Sequence, residues 1–270
     1  MKIILLLTTI VTLTLPTLLS QPASAQPKST VLTPRTMLAE AKLTVEQLIK
    51  RADSKVTAQD YQGAIKDYTL AIGMKPDKLA PIHMLRGSVH VMTNNDKLAF
   101  ADFDQAVKLA PNDAETYRVR AFFFSSNLFS EKAIADYEKA LALNPKNPEP
   151  YSRIAYIYVI QNNHSEAVKA FSQYLKMANA ASISQKDYAD RGLSYHAIGD
   201  YQNAIADFNQ SIKIEPLYGS GYYYRGLTYQ ALGQKKEALA DFKRTLEVDK
   251  EHPEAEEIMK KIKDLQSVTI

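Results

Sequence analysis

The chain has 270 residues, of which 23% are charged and 46% hydrophobic, and these proportions are ordinary for a soluble protein. It contains no cysteine, which excludes disulfides, thiolate metal ligands and cysteine nucleophiles. The net charge is +3 and the basic residues are scattered, so a dedicated nucleic-acid surface is not expected.

The first 25 residues have the three parts of a secretory signal peptide. Lys2 precedes an apolar run from Ile3 to Leu19, and a small-residue triplet ends at Ala25. This order predicts cleavage after Ala25 and an exported protein, in a periplasm, in a lumen-like compartment or secreted. The alternative is a membrane anchor, which needs about 20 apolar residues. Pro16 interrupts the run and favours cleavage.

Residues 26–44 are predicted to form a polar, proline-punctuated tether that ends in a short helix between Arg35 and Leu43. Thr44 followed by Gln47 has the spacing of a capping box, in which each residue's side chain bonds the other's backbone N–H. The first repeated helix is therefore expected to begin just after Thr44.

A unit of thirty-four residues repeats along the rest of the chain. Its clearest copy runs from Tyr222 to Phe242, and the same residue types return 34 positions upstream, from Tyr188 to Phe208. The shared positions of the later copy are Tyr222, Gly226, Tyr229, Gly233, Ala238 and Phe242. A fixed period of this length indicates a repeat architecture.

This spacing resembles the pattern W-x2-L-G-x2-Y…A-x3-F…P of the tetratricopeptide repeat (TPR) family. The resemblance implies an all-α, right-handed superhelical solenoid of about six helix-turn-helix repeats. They are expected at about 45–79, 80–113, 114–147, 148–184, 185–218 and 219–252, followed by a capping helix over 253–270. The style Y-x-x-R-G with A-I-A-D-F is similar to that of bacterial TPR proteins, including cyanobacterial ones.

Two interruptions break the period, one near Leu79 and one between Ala180 and Ser184. The second could be a hinge or simply a longer loop, and the longer loop is favoured.

Five repeats carry an arginine in the first helix and an aspartate in the second, whereas the fourth has Ile154 and Ala170 instead. Joint loss within one repeat predicts structural ion pairs inside each repeat. The predicted pairs are Arg51 with Asp67, Arg86 with Asp102, Arg120 with Asp136, Arg191 with Asp207, and Arg225 with Asp241. The alternative is a row of arginines that binds anions.

No nucleotide-binding, zinc-protease or serine-hydrolase motif occurs in the chain. His83 and His90 stand where other repeats carry aromatics, so core packing is favoured over metal binding. The sequence predicts a non-enzyme without a metal or cofactor.

The resemblance implies a concave face lined by first helices. Its expected apolar or partner-binding members are Met84, Leu85, Val91, Met92, Val119, Phe122, Arg153, Tyr156, Val159, Ile160, Leu193, Tyr223, Tyr224 and Leu227. Asp53 and Asp190 occupy repeat positions that are expected on the same concave face. The lysine and asparagine clamp that adaptor members use for C-terminal carboxylates is absent, because Asp53 and Leu85 occupy the asparagine places.

An apolar groove of this kind suits an amphipathic helix or extended apolar segment of another protein. The predicted function is therefore a non-enzymatic scaffold or adaptor. The alternatives are a chaperone-like carrier for exported clients, and a groove already closed by tight winding or by the N-terminal segment.

Overall fold

A computed structural model describes residues 43–267, and within that range the chain forms 13 α-helices and no strand. The predicted signal peptide, tether and N-terminal short helix lie outside the described residues, apart from Leu43 and Thr44. The chain divides into two compact units, residues 1–127 and 128–270, and the division falls in the turn within the third repeat.

The described part of unit 1 consists of five helices. They are α1 (Val45–Thr57), α2 (Tyr61–Gly73), α3 (Ala80–Met92), α4 (Asp96–Leu109) and α5 (Ala114–Ser126). Each helix packs against the next, and the first helices α3 and α5 also contact each other. This is the arrangement expected of stacked helix pairs, in which no single pair buries its own apolar face.

Unit 2 contains eight α-helices in its described part. They are α6 (Ser130–Leu143), α7 (Glu149–Ile160), α8 (His164–Met177), α9 (Gln185–Ala197), α10 (Tyr201–Ile214), α11 (Gly219–Ala231), α12 (Lys235–Val248) and α13 (Ala255–Ser267). Consecutive helices again pack together, and α9 contacts α11. The predicted all-α array of TPR helix pairs with a C-terminal helix is confirmed in these two units.

Side-chain caps fix where several helices begin. Thr44 Oγ1 accepts from the Gln47 backbone N–H at 3.2 Å, and Gln47 Oε1 accepts from the Thr44 N–H at 2.9 Å, so the predicted capping box is confirmed. Second helices begin after Asp60, Asn95, Asn163 and Asp200, each of which accepts a backbone N–H bond from the first turn. Such caps satisfy donors that the helix itself leaves unpaired.

Close helix contacts explain the small residues of the repeat. A Cβ added to Gly192 would lie 2.9 Å from Cε1 of Phe208, and one added to Gly226 would lie 2.9 Å from Cε1 of Phe242. Both phenylalanines are completely buried. The backbone of each first helix therefore rests on the aromatic ring of its own second helix, at interior packing density.

Two details differ from the sequence-based expectation. The last helix begins at Ala255 and not at Pro253, and its Met259 is 55% exposed while Ile258 and Leu265 are buried. The interruption near Ala180 forms a single 3-10 turn, Ala180–Ser182.

Candidate functional site

Four of the predicted Arg–Asp pairs have both residues in the same unit, two pairs in unit 1 and two in unit 2. The structure brings the two residues of each pair together. In each case Nε and Nη2 of the arginine donate to the two carboxylate oxygens at 2.6–2.8 Å, for Arg51 with Asp67, Arg86 with Asp102, Arg191 with Asp207, and Arg225 with Asp241. These aspartates are buried. Bidentate, charge-assisted bonds of this kind are among the strongest side-chain hydrogen bonds.

A further hydrogen bond, made by four of the first-helix arginines, was not expected from the sequence. Nη1 also donates to a residue on the preceding repeat's second helix at 2.5–3.1 Å, from Arg86 to Thr69, Arg120 to Asp104, Arg191 to Ser172, and Arg225 to Asn209. Each acceptor stands two residues after the aspartate position of its helix, and this recurring polar position was the available signal. The arginines thus join neighbouring repeats, which favours the structural role over an anion-binding row.

In the fourth repeat, both replaced positions are apolar and buried. Ile154 on α7 is 6% exposed and Ala170 on α8 is 8% exposed. Two apolar core residues thus stand in place of the ion pair in this repeat. Because both charges are replaced together, neither is left buried without its partner, which would be costly.

The two histidines of α3 lie in the core beside a carboxylate. Nδ1 of His83 is 2.8 Å from Oδ1 of Asp102, and Nε2 of His90 is 3.9 Å from Oδ2. Burial lowers the pKa of His90, more than the opposing charge of Asp102 raises it. Within residues 43–267, no group of three or more His, Asp or Glu side chains is arranged to hold a metal ion.

In unit 1, the expected groove residues fall into two groups. Met84, Leu85 and Phe122 are partly exposed, as is Met92. Val91 is only 3% exposed and Val119 only 8%. These two valines are core residues, and their assignment to the groove is corrected.

In unit 2, a partly exposed apolar row follows the first helices. Its members are Tyr156, Val159 and Ile160 on α7, Leu193 on α9, and Tyr224 and Leu227 on α11, with Arg153 at its edge. Ile160 is 67% exposed. The Nε of Arg153 donates to Glu149 at 2.6 Å.

Tyr223 does not belong to this row, because it is only 5% exposed. Its ring centroid lies 5.2 Å from that of His252 and 6.2 Å from that of Phe242, in a cluster that includes Ile258 of α13. The terminal helix therefore makes Tyr223 part of the core, which corrects its assignment.

A polar contact lies in the middle of the row. The Tyr156 hydroxyl donates a hydrogen bond to Oδ2 of Asp190, joining α7 to α9. The ring of Tyr156 is held edge-on against Phe171, with centroids 5.3 Å apart. Burial raises the pKa of Asp190, and the Tyr156 hydrogen bond and the charge of Lys186 only partly oppose this effect.

Three tyrosines lie near this carboxylate. Burial, followed by the charge of Asp190, raises the pKa of Tyr156, and the same carboxylate contributes to the raised pKa values of Tyr218 and Tyr224. These phenols stay neutral at physiological pH, so they offer hydroxyl groups and uncharged aromatic faces. Asp190 and Tyr224 occupy one repeat position, whereas Tyr156 stands at the position of Leu193 and Leu227, because the extra residues near Ala180 lengthen the fourth repeat. We call Tyr156, Asp190 and Tyr224 the central row.

Comparisons with known proteins agree with the observed helix pairs. Models described as TPR repeat match residues 130–162 and 192–233, and models described as tetratricopeptide repeat match residues 49–114, 148–180 and 219–252. No match was found among curated protein sequences.

Several solved structures share the fold. YrrB, described as a TPR protein with an unusual peptide-binding site, is 18% identical over 72% of this chain and 97% of its own, with a TM-score of 0.62. MamA is 22% identical over 66% of this chain and 94% of its own, with a TM-score of 0.59. A tetratricopeptide repeat protein from Parabacteroides merdae is 19% identical over 83% of this chain and 92% of its own, with a TM-score of 0.60. At these identities the likeness shows the fold alone.

None of the helices between residues 43 and 267 combines the length and apolar character that a bilayer span requires.

Proposed function

Because this chain belongs to the tetratricopeptide repeat family, we propose that it is a non-enzymatic scaffold or adaptor that binds a segment of a partner protein on its first helices. The binding face in unit 2 is the row from Tyr156 to Leu227 described above. In unit 1 it comprises Met84, Leu85, Met92 and Phe122.

The exposed end of α7 carries this proposal. Ile160 is 67% exposed and follows the partly exposed Val159 directly. Tyr156 lies one helical turn earlier on the same helix. Apolar side chains grouped on one exposed face are typical of protein-binding surfaces, and an amphipathic segment could cover them.

Two further observations support the proposal. YrrB, which shares the fold, is described as having a peptide-binding site. The signal-peptide pattern of residues 1–25 supports export, so the partner is proposed to be an envelope, lumenal or secreted protein. The repeat style supports a bacterial source, including a cyanobacterial one.

A matched pair of substitutions tests the binding face. Ile160→Lys places a charge on the proposed face, whereas Leu217→Lys places the same charge in the loop between α10 and α11. The side chains of Ile160 and Leu217 are both 67% exposed, so the two substitutions are matched in exposure. A photo-crosslinking amino acid in place of Val159 captures whatever lies against the face in the exporting cell. Circular dichroism checks that both variants remain folded.

The proposal expects one main crosslinked protein, lost in Ile160→Lys and retained in Leu217→Lys. Equal capture by both variants, or no capture by the unsubstituted chain, would overturn it. Many weak partners with the same dependence on Ile160 would instead favour the alternative function, a chaperone-like carrier or assembly factor that shields apolar segments of exported clients.

A further inference from the structure

We propose that the partner segment inserts a lysine or arginine side chain at Asp190, between the tyrosines of the central row. This inference rests on the proposed function, because it names the chemistry of the residue that the same face would select.

Asp190 lacks the cation that most other partly or fully buried aspartates of the repeats have. Within residues 43–267, no lysine, arginine or histidine nitrogen lies within 4.0 Å of its carboxylate. Its Oδ2 accepts from Tyr156, whereas its Oδ1 has no hydrogen-bond donor in that range. By contrast, Asp207 and Asp241 each receive two arginine hydrogen bonds.

The environment of this carboxylate makes its charge unfavourable. Burial raises the pKa of Asp190, and the nearby charge of Asp187 raises it further. A carboxylate that has lost water and gained no cation destabilises the folded chain. A ligand cation would pair with the carboxylate and offset this cost, so relief of the unfavourable charge would contribute to the binding free energy.

The other charged groups near this point do not supply the cation. Arg153 donates to Glu149 at 2.6 Å, and Asp187 closes the capping box of α9 with Ser184. Lys186 acts on Asp190 only through its charge, without an ion pair. Four carboxylates (Glu149, Asp187, Asp190 and Glu254) thus outnumber two cations (Arg153 and Lys186), which leaves an excess of negative charge for a ligand to balance.

The walls around Asp190 fit a long basic side chain. The Tyr156 hydroxyl bonds Asp190, and Tyr218 and Tyr224 pack on the core cluster that contains the adjacent Ala189. Burial raises the pKa of all three phenols, which therefore stay neutral, and aromatic rings attract lysine and arginine cations. Leu193 lies partly exposed on α9, within one helical turn of Asp190, and could contact the aliphatic stem of such a side chain. An acidic ligand is disfavoured, because Arg191 and Arg225 are already bonded to Asp207 and Asp241.

The test uses a phage-displayed library of random dodecapeptides and three forms of the purified chain. Asp190→Asn removes the charge but leaves a carbonyl that can accept from Tyr156. Glu138→Gln removes one negative charge from an exposed position on α6, so it matches the change in net charge. Selected peptides are then remade with norleucine for lysine or citrulline for arginine, and their affinities are measured by fluorescence anisotropy.

Peptides selected by the unsubstituted chain should be enriched in lysine or arginine beside apolar residues. Asp190→Asn should weaken them about tenfold or more, as expected for the loss of a partly buried charged partner, and Glu138→Gln should not. Norleucine or citrulline should weaken binding to the unsubstituted chain by a similar factor and have little further effect on Asp190→Asn.

Selected peptides that bind the Ile160-dependent face without a basic residue would overturn this inference and leave the proposed function standing. Peptides weakened equally by Asp190→Asn and Glu138→Gln would show only general charge attraction and would also overturn it. Failure to select any peptide would contradict both this inference and the proposed function.

Discussion

Arg225 binds both carboxylate oxygens of Asp241, with its Nε 2.8 Å from Oδ2 and its Nη2 2.6 Å from Oδ1. Its remaining nitrogen, Nη1, lies 2.5 Å from Oδ1 of Asn209 in the preceding repeat. One guanidinium therefore joins α10, α11 and α12. The planar fork of arginine makes this possible, because a lysine ammonium could not match a carboxylate in the same way.

Removal of one partner from this arrangement should be strongly destabilising. Asp241→Ala leaves Arg225, whose side chain is only 19% exposed, without its carboxylate. We expect a loss of about 3 kcal/mol in the free energy of unfolding, measured by urea titration and circular dichroism. Glu138→Ala, at an exposed position, should change it by less than about 0.5 kcal/mol. Equal losses in the two variants would contradict the structural role of the pair.

The sequence predicted these pairs because it contains its own comparison. The fourth repeat loses the arginine and the aspartate together, which points to a contact within a repeat. The bond to the preceding repeat was harder to predict, since its acceptors are chemically different: Thr69, Asp104, Ser172 and Asn209. A contact that any polar residue can make leaves no single residue type recurring at the period.

The candidate face was predicted less completely than the fold. Repeat spacing indicates which side of a first helix faces the groove, but the depth of each residue depends on what covers it. Tyr223 is buried because it packs with Ile258 of α13, and that contact belongs to one end of the array. The contact between Tyr156 and Asp190 joins two different positions of consecutive repeats, and no other pair of repeats carries these residue types at those positions.

Leu128 occupies a strained turn and offers a simple stabilising substitution. Its φ is +64°, and the corresponding turns of the last two repeats use Gly199 at +79° and Gly233 at +74°. A left-handed conformation costs a non-glycine residue about 1–2 kcal/mol, and Leu128 is 77% exposed, so little packing is lost. Leu128→Gly should raise the free energy of unfolding by about 1 kcal/mol.

Gly233→Leu is the reverse substitution and should lower stability by a similar amount, with both changes read from urea midpoints. If Leu128→Gly is destabilising, the side chain must contribute more through its contacts than its backbone conformation costs.

Acid should destabilise the chain partly through Asp67. Burial alone would raise the pKa of this carboxyl, but the hydrogen bonds and charges of Arg51 and Lys55 outweigh burial and hold it below its ordinary value. A depressed pKa means that the unfolded chain takes up the proton first. The stabilising contribution is therefore full above the unfolded pKa of about 3.9, and it is lost as the pH falls through the lower folded value.

We expect the melting temperature to fall steeply below about pH 4. Asp67→Asn should be less stable than the unsubstituted chain at neutral pH, and the difference between the two should shrink in acid. The measurement is a series of thermal melts across pH. A difference that stays constant from neutral to acid pH would show that Asp67 does not act through its charge.

Asp190 should behave in the opposite way, because its folded pKa is raised by burial and not lowered by an ion pair. Its stabilising contribution is present below the unfolded pKa of about 3.9 and is lost as the pH rises through the folded pKa. At neutral pH the ionised carboxylate therefore opposes folding. Asp190→Asn should raise the free energy of unfolding by about 0.5–1 kcal/mol there, and the gain should disappear in acid.

A gain in stability at this position separates a binding residue from a structural one. If the charged hydrogen bond from Tyr156 instead stabilises the fold by more than burial of the carboxylate costs, Asp190→Asn, which keeps only a neutral acceptor, would be less stable at neutral pH. Urea titrations at neutral and acid pH distinguish the two outcomes. If Asp190→Asn stabilises the chain without a bound peptide and also weakens the binding of basic peptides, the unfavourable charge of Asp190 is explained by the cation that a partner supplies.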